Sequence, residues 1–294
     1  MDERTLQKLH SQVKRLQVYS DRLVEDLLSG NYRSAFKGLG IEFDEVRDYV
    51  YGDDARLIDW NVTGRLGAPY TKTFREEREL TLFLIVDLSA SLVGGEMAFE
   101  RRRQQAALTA LMTFAAVRNN DQLGALFFTD KIETYVRPAK GKKHAMRVLQ
   151  DGLRLVPEGV GSDLALAIRT ASETLNRRGI CIIVSDFKTE GYWRDLSVLA
   201  RKHDVIACRI SDDLTAGVFE GGLMYVVDQE TGVTLPIMGG MESYRKEYQD
   251  FWETHWNEWR SQCRRRGVSM LEVTVADDPA EKLMQFFRRR RRRR

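Results

Sequence analysis

Cysteine and long apolar runs are both scarce in this sequence. There are only 3 cysteines, Cys181, Cys208 and Cys263, which lie far apart in apolar surroundings. An odd and dispersed set of cysteines supports neither a disulfide framework nor a zinc site. No stretch approaches the roughly 18 consecutive apolar residues that a membrane-spanning helix requires. We therefore expect a cytoplasmic protein without a transmembrane segment.

The motifs of several enzyme classes are also missing. The 4 histidines are scattered and form no His-x-x-x-His pair, and no Gly-x-Ser-x-Gly elbow surrounds Ser89. No Gly-x-x-x-x-Gly-Lys-Ser/Thr phosphate-binding loop occurs, so ATP-driven work would require a separate ATPase. The sequence gives no positive indication that the protein is an enzyme.

The charge is unevenly distributed along a chain whose composition is that of a globular protein. The formal net charge of +3 includes an unbroken run of arginines from Arg288 to Arg294, so the rest of the chain is net acidic. Such a run could contact the phosphates of nucleic acid or of anionic lipid. Terminal charge runs are usually solvated, and we do not expect nucleic acid to be the partner.

The first 79 residues differ from the rest in pattern. Residues 5–29 place leucines at helical spacing among charged residues, and Gly30 follows as a stop signal, which predicts an amphipathic helix. Residues 31–79 are rich in glycine, aromatic and charged residues and indicate an irregular, β-rich module. We predict an N-terminal helix and module over 1–79, an α/β domain over 80–287 and a basic tail over 288–294.

Four short apolar runs predict strands that are buried on both faces of a sheet. They occupy residues 81–86, 123–128, 180–184 and 205–210. Helical patterns separate them, with apolar positions such as Leu108, Leu149 and Ile168. Alternating strands and helices predict a mostly parallel, Rossmann-like sheet with helices on both faces.

Further elements follow the fourth run. A β-hairpin is predicted over 223–237, a long helix over 241–266, a last strand over 268–275 and a terminal helix that Pro279 opens. The long helix carries the aromatic residues Tyr248, Trp252 and Trp259. We interpret these side chains as core packing rather than as a surface that stacks nucleic acid bases.

The first buried run ends in a loop with the chemistry of a metal site. In an open α/β sheet, ligands collect at the carboxyl ends of the strands. Alternate positions of this loop offer the carboxylate of Asp87 and the hydroxyls of Ser89 and Ser91, which are hard oxygen ligands suited to Mg²⁺ or Mn²⁺. Ser162 before a helical pattern and Asp186 after the third strand are further candidates. The ligand set leaves a coordination position that an acidic side chain of a partner could fill.

This combination resembles the metal-ion-dependent adhesion site of von Willebrand factor A domains. A closer resemblance covers most of the chain, because FDEVRDY at residues 43–49, GDDARLIDW at 52–60 and FREERE at 74–79 are similar to signatures of the bacterial family DUF58. This resemblance implies a von Willebrand factor A-like fold with an inserted β module. It also implies a MoxR-type AAA+ ATPase as partner and a role in maturing or remodelling a client protein. The family's usual hydroxyl ligand in the second loop is threonine, where this chain has Ser162.

Purely structural roles remain open for the same side chains. Asp87 could cap a turn, Ser162 could be the N-cap of the following helix, and Asp186 could cap the helix near Trp193 or pair with Lys188. In the GDDARLIDW segment, we expect Arg56 and Asp59 to form a structural ion pair under Trp60, although a binding surface is the alternative.

The sequence therefore predicts a non-enzymatic, metal-dependent protein-binding module that works as an adaptor or co-chaperone. Two other functions stay open. A metal-dependent phosphoesterase or nuclease would use the same ion to activate water, but it needs a base and more carboxylates than this loop supplies. A scaffold with a vestigial metal loop would make its contacts through the N-terminal helix and the basic tail.

Overall fold

The computed structural model describes residues 41–76, 80–93, 98–212, 223–227, 234–238 and 242–292. The helix predicted over residues 5–29 lies outside these ranges. The described residues fall into two compact units that meet in sequence between Leu80 and Thr81. No helix in the described part of the chain is long and apolar enough to cross a bilayer.

The smaller unit is a β-hairpin that carries two short helices. Strands β1 (Ile41–Asp48) and β2 (Tyr70–Glu76) pair antiparallel. Between them lie a 3₁₀ turn (Ala55–Leu57) and helix α1 (Trp60–Leu66). Asp59 caps α1 by accepting hydrogen bonds from the main-chain N–H groups that follow it, and the helix ends at Gly67, whose φ of 73° suits glycine.

The ion pair expected between Arg56 and Asp59 is wrong. The Asp59 carboxylate faces the start of α1 and lies 3.5 Å from Lys72 Nζ, while Arg56 lies 3.6 Å from Asp54. Trp60 is itself 72% exposed. Capping explains the difference, since an N-cap carboxylate must point at the helix that it begins.

The larger unit contains a six-stranded sheet in the order β10-β7-β6-β3-β4-β5, in which only β5 is antiparallel to its neighbour. Its strands are β3 (Thr81–Asp87), β4 (Gln122–Phe128), β5 (Ile132–Ala139), β6 (Ile180–Ser185), β7 (Asp204–Ser211) and β10 (Ser269–Thr274). A separate antiparallel hairpin consists of β8 (Leu223–Val227) and β9 (Thr234–Met238). The helices of the larger unit are α2 (Ala90–Val93), α3 (Ala98–Arg118), α4 (Lys142–Arg154), α5 (Leu164–Thr174), α6 (Trp193–Lys202), α7 (Glu242–Arg265) and α8 (Pro279–Arg292). The predicted α/β class is confirmed.

Helices cover both faces of this sheet. Phe83 and Ile183 point to one face, where they form a hydrophobic cluster with residues of α5, α6 and α7, including Ile168, Leu196 and Trp259. Leu84 and Val184 point to the other face and line a small cavity with residues of α3 and α8, including Met112, Leu283 and Phe287. The central strands are therefore buried on both sides, as their uninterrupted apolar runs predict.

The aromatic residues of α7 divide between core and surface. Trp259 is almost fully buried, Tyr248 and Trp252 are half-buried, and Phe251 is 61% exposed. The core-packing role predicted for these aromatic residues therefore holds fully for Trp259. The 3 cysteines are buried, and burial raises the pKa of each thiol above its ordinary value.

Helix α8 extends into the predicted basic tail. It runs to Arg292, and the Arg290 guanidinium forms an ion pair with the largely buried carboxylate of Asp204 at the start of β7. At this position the expectation of a wholly solvated run is wrong. The helical period explains the difference, because it returns Arg290 to the side of α8 that bears the buried Phe287.

Candidate functional site

The candidate site lies where the connections of the sheet diverge. From β3 the chain crosses to β4 on one side, and it later returns to β6 on the other side of β3. This topology leaves a crevice at the carboxyl end of β3, the usual ligand position in open α/β sheets. Asp87 is the last residue of β3, and helix α2 begins three residues later at Ala90.

Asp87 is the buried centre of a hydrogen-bond network. Its Oδ1 accepts from the main-chain N–H of Ser89 at 2.9 Å. Its Oδ2 accepts from the hydroxyls of Ser162, at 3.0 Å, and Ser185, at 2.7 Å. The Gln105 side chain also donates to the main-chain oxygen of Asp87. The turn-capping role that we considered for Asp87 is therefore present, together with bonds from two distant segments.

Asp186 brings a second carboxylate with an unsatisfied oxygen. The residue is 5% exposed, and its Oδ1 accepts from the main-chain N–H of Lys188 at 3.2 Å. Its Oδ2 is buried and has no hydrogen-bond partner among the described residues. An unsatisfied buried carboxylate oxygen is costly, so it needs an explanation such as a bound ion.

The two carboxylates repel one another across the site. Burial raises the pKa of Asp87 to about 6, and the negative charge of Asp186 adds to this effect. Hydrogen bonds from Ser89 and Ser185 lower the same pKa but do not offset the other two effects. A divalent cation between the carboxylates would remove the repulsion.

The serines of the first loop complete the oxygen set. Ser89 is buried and Ser91 is half-buried, and their Oγ atoms lie 3.1 Å apart. All five predicted residues thus belong to one local arrangement, and their oxygens fit a hard divalent cation. In the described ranges, no group of three or more His, Cys, Asp and Glu side chains could hold a metal. Metal binding here therefore depends on hydroxyls as well as on two carboxylates, and it stays a prediction.

The alternative capping roles of two residues are not realised. Asp163, rather than Ser162, is the N-cap of α5, because its carboxylate accepts from the Leu166 N–H at 2.8 Å. Helix α6 begins after Tyr192 without a side-chain cap, so Asp186 does not cap it. The Ser162 hydroxyl and one oxygen of Asp186 are therefore not occupied by helix capping.

Ser185 is a site residue that the sequence analysis missed. Its Oγ accepts from the Phe187 N–H at 3.0 Å, so its own proton is available for Asp87. The parallel register of β3 and β6 brings Ser185 next to Asp87, because Val86 pairs with Val184 and the next residues are Asp87 and Ser185. A hydroxyl at the end of a neighbouring strand therefore supports the central carboxylate.

The backbone next to Asp186 adopts a rare conformation. Phe187 is buried and has a φ of 56°, a left-handed value that is unusual for an aromatic residue. Its ring packs against the rings of Trp259 of α7 and Tyr192, with centroid distances of 5.2 Å and 6.1 Å. Such strain costs about 1–3 kcal/mol and persists only where packing enforces it. The contact with α7 thus holds the Asp186 loop in place.

Glu133 of the edge strand β5 holds the loop that presents Ser162. Its Oε1 accepts from Thr129 Oγ1 at 2.7 Å and from the main-chain N–H groups of Gly159 at 2.8 Å and Glu158 at 3.1 Å. Position 159 favours glycine, because a Cβ there would lie 2.1 Å from Oγ1 and 2.9 Å from Cβ of the buried Thr129. We did not predict Glu133, since nothing in its sequence neighbourhood indicates this contact.

The Glu133→Gln variant is expected to lose about 1–2 kcal/mol of stability at pH 7, because neutral hydrogen bonds replace charge-assisted ones. Burial alone raises the pKa of Glu133, but the bonds from Gly159, Thr129 and Glu158 outweigh it and hold the pKa below 4.5. A lowered folded-state pKa stabilises the fold above pH 4.5, and this contribution is lost as the pH falls through the folded-state pKa. Urea unfolding from pH 7 to pH 3 measures the difference.

The matched control for this prediction is Glu158→Gln, which removes a largely exposed carboxylate that pairs with Lys131. Exposed pairs contribute little, so we expect a change below about 0.5 kcal/mol. A constant difference between wild type and Glu133→Gln across the whole pH range would contradict the role assigned to the Glu133 charge.

Comparison with known proteins shows that the chain matches one protein family. The family described as "Protein of unknown function DUF58" matches residues 45–258, which include the smaller unit from Glu45 onward and all the site residues. The chain belongs to this family.

Relatives of this DUF58 protein occur in mycobacteria. "Uncharacterized protein Rv1480" of Mycobacterium tuberculosis is 33% identical over 229 residues, which cover 77% of this chain and 72% of that protein. "Uncharacterized protein MAV169" of Mycobacterium avium is 28% identical over 159 residues, which cover 53% of this chain and 94% of that protein. Neither name assigns an activity.

Solved structures show more distant similarity to the DUF58 chain. The protein BatB from Bacteroides thetaiotaomicron has a TM-score of 0.45 at 14% identity, covering 72% of this chain and 98% of that protein. An aerotolerance-related membrane protein from Bacteroides fragilis has a TM-score of 0.46 at 11% identity, covering 73% of this chain and 100% of that protein.

Proposed function

We propose that this DUF58 protein is a Mg²⁺- or Mn²⁺-dependent protein-binding module, an adaptor or co-chaperone for a MoxR-type AAA+ ATPase that matures or remodels a client protein. The observation that carries the proposal is the buried, unpartnered Oδ2 of Asp186 beside the buried carboxylate of Asp87. Two carboxylates with neutral hydroxyls around them suit a hard divalent cation.

The ligands in this proposal are Asp87, Ser89, Ser91, Ser162 and Asp186. Ser185 orients Asp87 through its hydroxyl and acts as a positioning residue. A bound ion would supply an electrophilic position for an anionic oxygen. Because the ligand set contains only two carboxylates, a third can come from an acidic side chain of the partner.

The choice of a binding function over hydrolysis follows from the surrounding groups. The hydroxyls of Ser185 and Ser162 both donate hydrogen bonds to Oδ2 of Asp87, so this oxygen is already engaged and is poorly placed to act as a general base. The chain has no phosphate-binding loop, which supports a separate ATPase as the source of energy. The MoxR-type partner rests on the family resemblance.

Two measurements test the proposal. Calorimetric titration with Mn²⁺ should show binding to the wild type and none to Asp87→Ala. The MoxR-type ATPase encoded in the same genome should bind immobilised wild type in Mg²⁺, with at least tenfold weaker binding in EDTA or to Asp87→Ala. The control is Asp163→Asn, which changes a neighbouring exposed carboxylate but preserves the helix cap.

Binding that survives both EDTA and Asp87→Ala would overturn metal dependence and favour a scaffold. Asp87-dependent hydrolysis of p-nitrophenyl phosphate or of single-stranded DNA would replace the binding function with an enzymatic one. Absence of any interaction with the ATPase, despite Mn²⁺ binding, would reject the adaptor role and leave the metal site intact.

A further inference from the structure

A second polar feature lies between helices α3 and α4 and the face of the sheet that they cover. Helix α3 places four residues at i, i+3, i+4 and i+7 along one side, and they line a cavity of about 20 Å³. These residues are Arg102, Gln105, Ala106 and Thr109. The remaining wall is mainly apolar and includes Val86 and Phe127 from the sheet and Leu149 and Leu153 from α4.

Arg102 brings a buried positive charge to this cavity. Its Nη1 donates to Gln105 Oε1 at 2.6 Å and its Nη2 donates to the main-chain oxygen of Gly152 at 2.8 Å. Both acceptors are neutral, and the described residues provide no carboxylate within ion-pair distance of Arg102. Burial lowers the pKa of Arg102 to about 10, so the side chain remains a cation at neutral pH.

Thr109 also lines this cavity and carries a hydroxyl without a partner in the described part of the chain. The residue is more than nine-tenths buried. A hydroxyl in such a position normally donates to a protein group or to a bound species. Two donors and an uncompensated charge therefore border one small space.

We propose that this cavity binds one small monovalent anion, of which chloride is the natural example. A buried charge without a counter-charge is strongly unfavourable. The volume exceeds the roughly 10–15 Å³ that one water needs, so the cavity has room for one small ion. A water molecule could satisfy the donors, but only an anion also balances the guanidinium. The apolar walls suit a weakly hydrated halide.

The anion site connects to the candidate metal site through one side chain. Gln105 accepts from Arg102 and donates to the main-chain oxygen of Asp87. An anion that fixes Arg102 thereby fixes the Gln105 amide and the end of β3. The two sites are nevertheless chemically separate, so the anion can be tested with all divalent metal removed.

The direct test is a crystal of the full chain soaked in sodium bromide, with data collected at the bromine absorption edge. The expected result is an anomalous peak between Arg102 and Thr109. A second measurement compares thermal unfolding in sodium chloride and in sodium gluconate at equal ionic strength, both with EDTA. Chloride at about five times its Kd should raise the melting temperature by roughly 2–4 °C.

The chloride effect should disappear in Arg102→Met and persist in Arg103→Met, which removes the neighbouring, more exposed arginine of the same helix. A density peak without anomalous signal would identify a water and overturn the proposal. Equal melting temperatures of the wild type in the two salts would do the same. The bromide experiment uses wild-type protein, so poor folding of a variant cannot obscure the answer.

Discussion

The Asp87→Asn variant is expected to unfold at a higher temperature than the wild type in EDTA and to gain nothing from Mg²⁺ or Mn²⁺. Without metal, the wild type buries a carboxylate whose pKa is raised to about 6 by burial and by Asp186. Asparagine removes that charge but keeps an oxygen for the Ser89 N–H. We expect a stabilisation of roughly 1–3 kcal/mol at neutral pH, since each pKa unit corresponds to about 1.4 kcal/mol.

The metal response is the second half of this prediction. Mg²⁺ at about 100 times its Kd should stabilise the wild type by about 2.7 kcal/mol, and the variant should show no shift. Differential scanning calorimetry with EDTA, Mg²⁺ and Mn²⁺ measures both effects. The Asp163→Asn control should respond to metal like the wild type. An Asp87→Asn protein that is less stable in EDTA would show that the charge is neutralised in another way.

The Trp259→Ala variant is expected to lose about 3–5 kcal/mol of unfolding free energy, the range for removing a buried large aromatic side chain. Trp259 is almost fully buried and packs against both Phe187 and Trp256. Removing the indole leaves a cavity between α7 and the β6–α6 loop. Urea unfolding in EDTA measures this loss, and Phe251→Ala on the exposed side of the same helix should change stability by less than about 0.5 kcal/mol.

The same substitution should weaken metal binding although Trp259 is not a proposed ligand. Phe187 keeps its left-handed backbone because its ring is packed against Trp259 and Tyr192. Without the indole, the strain can relax and move Asp186, so we expect at least tenfold weaker Mn²⁺ binding by calorimetry. Unchanged Mn²⁺ affinity in a folded Trp259→Ala protein would show that the loop is held by other contacts.

Much of the larger unit could be predicted from sequence because its central strands are buried on both faces. The four apolar runs, the hairpin, the long helix and the last strand all occur within one or two residues of their predicted bounds. Strand β5 was missed because its sequence lacks the pattern of a buried strand. Its half-buried positions and Pro138 give no continuous apolar run and no regular alternation.

The candidate site was predictable where ligands share a local motif. Asp87, Ser89 and Ser91 stand in one loop, and Asp186 ends a recognisable strand. Glu133 could not be found in this way, because its contacts with Gly159 depend on how a loop folds back over the edge of the sheet. The Phe187 conformation was equally hidden, since tertiary packing rather than local preference imposes it.

The distances along the chain between the groups that meet at Asp87 have a consequence for biosynthesis. Ser162 and Ser185 follow Asp87 by 75 and 98 positions. At about 5–20 residues per second, a ribosome needs roughly 5–20 seconds to add Ser185 after Asp87. Throughout that interval the nascent β3 ends in a carboxylate that lacks at least one of its two hydroxyl donors. Co-translational folding therefore cannot complete this corner of the protein until β6 has emerged from the exit tunnel.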